Sequence, residues 1–105
     1  MHIELLWFDG CPNHERARAL LEQVLRERGM HQPVSSVNVV DADVGESRRF
    51  PGSPTIRIDG VDIEPGFEDT GDYTLRCRVY QTNEGLRGVP ERALIESAID
   101  LAGRR

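Results

Sequence analysis

Apolar positions fall along this chain in two rhythms. Residues 2–8 form a nearly continuous apolar run that ends in Leu5-Leu6-Trp7-Phe8. Such a run predicts a strand covered on both faces. After the Asp9-Gly10 turn the rhythm changes. From Pro12 to about Arg28, the residues Ala17, Leu20, Leu21, Val24 and Leu25 fall on one helical face and charges fill the other. Pro12 suits the first helical position, where a missing N–H costs nothing, and Gly29 suits the residue just past the end. Arg18–Glu22 and Glu22–Arg26 are spaced for surface ion pairs. Val34 to Val40 then predicts a second strand. Its return across a helix implies parallel pairing with the first.

The second half is more broken. Asp41 to Arg49 reads as a short helix or irregular stretch. Thr55-Ile56-Arg57-Ile58 alternates and ends in the Asp59-Gly60 turn, which predicts a third strand. Residues 59–72 carry Asp59, Asp62, Glu64, Glu68, Asp69 and Asp72 with no base between them, and Gly60, Gly66, Gly71 and Pro65 argue against regular structure. Tyr73 to Thr82 predicts a fourth strand beside the third. Asn83-Glu84-Gly85 is a turn, and Leu86 to Val89 a short return segment. The last helix starts near Pro90, buries Leu94, Ile95, Ala98, Ile99 and Ala102, and stops at Gly103. The expected class is α/β, a mixed sheet flanked by helices in the order β-α-β-α-β-β-α.

Length narrows this to one domain over residues 1–105, with a modest core. A formal net charge of -5 speaks against nucleic acid or an anionic membrane as partner. No run has the length of a signal-peptide core or a membrane span, so a cytoplasmic location is expected. All 13 Lys+Arg residues are arginine, which excludes Schiff-base chemistry and a lysine base. Two cysteines in a cytosolic chain argue for free thiols, a transient disulfide or a metal site rather than a structural framework.

The candidate chemistry centres on Cys11, in Gly10-Cys11-Pro12-Asn13-His14 between the first strand and the first helix. A thiol exposed at a helix N-terminus has its thiolate favoured by unpaired N–H groups and the helix dipole. The alternative is a small buried residue. His14, three residues on, is a candidate base, hydrogen-bond donor or soft-metal ligand, or else a solvated first-turn histidine. Cys77, in Arg76-Cys77-Arg78-Val79-Tyr80, would share a strand face with Val79 and leave the arginines on the other. It is a candidate resolving cysteine or ligand, or else a core residue.

Phe8-Asp9-Gly10-Cys11-Pro12, Gly52-Ser53-Pro54-Thr55 and Cys77-Arg78-Val79-Tyr80 together resemble the thioredoxin-like superfamily, at near-minimal glutaredoxin size. Within it the chain is similar to a group of short bacterial proteins sometimes labelled alkylmercury lyases. Organomercurial lyases themselves are longer and use two cysteines with an aspartate. Cys11, Cys77 and Asp9 stand here without the lyase motifs around them. The resemblance implies a redox cysteine at Cys11 and a cis-proline at Pro54 packed against it. The cysteine such proteins often carry three residues on is replaced by His14.

The expected function is thiol–disulfide exchange through Cys11, by a monothiol route or with Cys77 resolving the intermediate. Pro12, Asn13, Ser53, Pro54 and Thr55 are the expected substrate-binding residues, and the backbone beside Pro54 would pair with a peptide-like substrate. The partner is a thiol or disulfide, of protein or low molecular weight, and no cofactor is called for. Two other classes remain: a soft-metal or organomercurial module built from Cys11, Cys77 and His14, and a non-catalytic interaction scaffold.

Overall fold

A computed structural model describes all residues from Met1 to Arg105. Four strands make the main sheet: β1 (Ile3–Trp7), β2 (Val34–Asn38), β3 (Thr55–Ile58) and β4 (Val61–Asp62), in spatial order β2-β1-β3-β4. β1 runs parallel to β2, with Leu5 opposite Ser36, and antiparallel to β3, with Leu5 opposite Ile56. β4 returns antiparallel on β3. Three helices, α1 (His14–Glu27), α2 (Ala42–Ser47) and α3 (Arg92–Ala102), complete a mixed α/β fold.

The alternation of β1 divides the core in two. Ile3 and Leu5 join Ile56 and Ile58 on the face covered by α1 and α3, where Leu21, Val24, Ile95 and Ile99 are buried against them. Leu6 lies on the opposite face with Val39 and Phe50, and Phe8, Val44 and Leu75 pack around that smaller cluster. β1 is therefore covered on both sides, as its unbroken apolar run predicts.

Helix ends follow their local signals. Gly29 has φ +68°; its N–H bonds to the Arg26 carbonyl and the Met30 N–H to the Leu25 carbonyl, the paired bonds of a Schellman ending. At α2 the Asp41 carboxylate accepts from the Val44 N–H at 2.9 Å.

Four expectations are corrected. α1 begins at His14 rather than Pro12, so Cys11 lies before the helix. The Arg18–Glu22 and Glu22–Arg26 pairs do not form: Arg18 turns to the Ser36 hydroxyl and the Trp7 ring, and Arg28 and Glu27 pair with Asp100 and Arg92 of α3. The acidic stretch contains β4, because Asp59 (φ +52°) and Gly60 (φ +80°) make a two-residue hairpin turn after β3. The predicted fourth strand shrinks to β5 (Tyr80–Thr82), which pairs with β6 (Gly85–Arg87) in a separate hairpin. The place beside β3 is taken by β4, so the expected seven-element order becomes β-α-β-α-β-β-β-β-α.

Candidate functional site

The turn between β1 and α1 brings Cys11 under the turn that precedes β3. The Cys11 N–H donates to the Phe8 carbonyl at 3.0 Å, and its thiol donates to the Ser53 carbonyl at 3.5 Å. The Ser53–Pro54 peptide bond is cis. Cys11 is 3% exposed, which corrects the exposed thiol expected at this turn. The segment from Tyr73 to Tyr80 runs beside the same Ser53–Pro54 turn and is held to it.

That segment is held by main chain. The Ser53 N–H donates to the Arg76 carbonyl at 2.9 Å, and the Arg78 N–H donates to the Ser53 carbonyl at 2.8 Å. Ser53 and Cys77 thus form an isolated parallel bridge. The Tyr80 hydroxyl donates to the Pro54 carbonyl at 2.5 Å. The backbone expected to pair with a peptide substrate is already paired within the chain. Ser53, Pro54 and Thr55 are all buried, and the Thr55 hydroxyl donates inward to the Gly52 carbonyl at 2.6 Å. Of the expected substrate-binding residues, only Pro12 is exposed and Asn13 half-buried. Asn13 lies so close to Gly88 that a Cβ there would collide with its side-chain amide.

Cys77 and Val79 share a face, as the alternation predicts, and that face is the outer one. Cys77 and Val79 are exposed, whereas Arg78 and Tyr80 are buried. Arg78 grips Asp62 of β4 through two bonds of 2.7 and 2.8 Å and reaches the Thr55 hydroxyl at 3.0 Å. Its guanidinium lies 4.5 Å from the Tyr80 ring centre and 4.9 Å from that of Phe67. Burial works against the Arg78 charge; the Asp62 hydrogen bonds and the surrounding negative groups outweigh it and hold the guanidinium above its usual range. Burial also pushes the Tyr80 phenol well above its usual value, against the pull of Arg78. No sequence signal singled out this ion pair. The only hint was an arginine alternating in step with a tyrosine.

His14 stacks on Trp7, ring centres 4.2 Å apart, and its Nδ1 is buried without a partner, so it is neither a freely solvated side chain nor bonded to the Cys11 thiol. Both cysteines are free, Cys11 buried and Cys77 exposed, which overturns Cys77 as a core residue. No three His, Cys, Asp or Glu side chains gather as metal ligands, so Cys11, Cys77 and His14 do not form a three-ligand centre. The acidic stretch finds its bases elsewhere: Asp69 meets Arg49 at 2.6 Å and Asp72 meets Arg76 at 2.9 Å. Asp69 is held below the usual carboxylate range, first by the Gly71 N–H and then by Arg49, and Asp72 likewise, first by the Thr74 hydroxyl.

No helix is long and apolar enough to cross a membrane. No protein-family model, curated protein or solved structure matches this chain.

Proposed function

We propose that this is a cytoplasmic thioredoxin-like thiol protein in which Cys11 is the nucleophile. The observation that carries the reading is the 3.5 Å approach of the Cys11 sulfur to the Ser53 carbonyl, in the turn leading into β3. The sheet order supports it, since β2-β1-β3-β4 with only β1 and β2 parallel is the arrangement of the thioredoxin-like fold.

The chemistry is thiol–disulfide exchange. Cys11 loses its proton to solvent, its thiolate attacks one sulfur of a disulfide, a Cys11–substrate disulfide forms, and the other substrate sulfur leaves as a thiolate. A second thiol then attacks Cys11, releases the bound half and completes a two-electron reduction of the substrate. Cys77 or an external thiol fills that second role. Burial of Cys11 favours one other reading, a non-catalytic scaffold in which this thiol only fills space.

Exposure to glutathione disulfide followed by peptide mapping separates the two. In Cys77→Ser protein the mixed disulfide is expected on Cys11 under native conditions. Modification of Cys11 only after denaturation would leave the scaffold reading standing and end the redox one.

A further inference from the structure

The redox reading requires a substrate to approach Cys11, and the strand position beside the Ser53–Pro54 turn is filled. Three main-chain groups of that turn are taken by one segment: the Ser53 N–H by Arg76, the Ser53 carbonyl by Arg78, and the Pro54 carbonyl by the Tyr80 hydroxyl. Two glycines make room for it. Gly52 has φ +131°, and a Cβ there would lie 3.0 Å from the Arg78 Cβ and 3.3 Å from the Arg76 carbonyl. A Cβ on Gly45 would lie 2.8 Å from the Tyr73 carbonyl. Arg78 then locks the segment to β4 through Asp62, both side chains nearly buried at 7% and 6% exposure.

An extended polypeptide docks by adding a strand, and it draws its affinity from main-chain hydrogen bonds. Here those bonds are already made. Lifting the segment would break them and would strand a buried carboxylate. In the turn that carries Cys11, the Cys11 N–H bonds to the Phe8 carbonyl and Pro12 is exposed.

We propose that residues Arg76–Tyr80 are a fixed occupant of the strand position beside the Ser53–Pro54 turn, so that Cys11 exchanges with low-molecular-weight disulfides and thiol adducts and not with extended polypeptides. This rests on Cys11 being the nucleophile. In each exchange the Cys11 thiolate forms the new S–S bond as the substrate S–S bond breaks, and the leaving thiolate carries away the electron pair.

The test compares two thionitrobenzoate adducts in Cys77→Ser protein, where only Cys11 reacts. One is on free cysteine; the other is on a cysteine at the centre of an unstructured peptide. Coloured thiol is released in both cases. Release from the small adduct is expected to be faster by on the order of tenfold or more, since the peptide must displace main-chain bonds. Adding Arg78→Met with Asp62→Leu, which removes the lock without stranding a charge, should bring the two rates together. Equal rates in the locked protein would overturn the inference and leave Cys11 as nucleophile. Release from neither adduct would overturn both. Hydrogen exchange gives a check independent of those variants: the Ser53 and Arg78 amides should be strongly protected in the Cys77→Ser protein, and exchange at open-loop rates would also overturn the inference.

Discussion

Arg78 is the residue on which the candidate site is hung. A buried guanidinium is tolerable only with a matched carboxylate and its own hydrogen bonds; Asp62 and Thr55 provide them, and the Tyr80 and Phe67 rings pack on its faces. Arg78→Met alone should therefore destabilise the protein by about 3–5 kcal/mol, because Asp62 is left buried and unpaired. Pairing it with Asp62→Leu should recover most of that loss. Urea denaturation of the two variants decides this, and a double variant no more stable than the single one would contradict it. Tyr80 makes a pH prediction. Its phenol is held above the usual value of 10.0, so the folded protein keeps the proton after the unfolded chain has lost it. Stability from this group is fully present below pH 10 and falls as pH rises past it. Tyr80→Phe should flatten that alkaline fall. At neutral pH it should cost about 1–3 kcal/mol, because the Pro54 carbonyl loses its partner. Melting curves between neutral and alkaline pH would show both effects.

At the scale of elements, α2 is shaped by what crosses it. An exposed helical glycine changed to alanine normally gains about 1 kcal/mol of helix propensity. Gly45 is inside α2 but buried, and its missing Cβ is the space occupied by the Tyr73 carbonyl. Gly45→Ala should reverse the usual sign and destabilise by about 1–3 kcal/mol, the range for overpacking. It should also shift the amide resonances of residues 73–78. A stabilising outcome would mean that the segment yields easily and does not define the site. The hairpin of β3 and β4 teaches a related lesson. Asp-Gly is the strongest short-range hairpin signal, and Ile58-Asp59-Gly60-Val61 carries it. The surrounding negative charge obscured it. That charge is compatible with a strand because Asp62 is met by Arg78, sixteen residues on.

At the scale of the whole molecule, one core does most of the holding. β1, β3, α1 and α3 meet in a continuous cluster that includes Ile3, Leu21, Ile56 and Ile95. Ile95→Ala should remove about 2–5 kcal/mol, transfer and cavity contributions together. Trp7, the single tryptophan, packs against that cluster, so its fluorescence and far-UV circular dichroism should report one shared transition. Separate midpoints would show that the sheet and helices do not unfold as one unit.

The amphipathic stripe of α1, the buried run of β1, the Gly29 ending, the parallel β1–β2 pairing and the inward face of α3 were all legible in the sequence. Each depends on a periodicity or a cap that acts within a few residues, or on the handedness of a single crossover. The proximity of Cys11 to the Ser53–Pro54 turn was legible only through resemblance, since no local rule brings residue 11 to residue 53. Tertiary structure alone decided which face of residues 76–80 is buried. Period-two alternation offers two faces, and hydrophobicity favours Cys77 and Val79 inward. The opposite choice prevailed because Asp62, Thr55 and the Ser53 and Pro54 backbone together satisfy Arg78 and Tyr80 more completely than any apolar face could satisfy them. A buried charge is permitted only by partners distant in sequence, so its place is known only once the chain has folded.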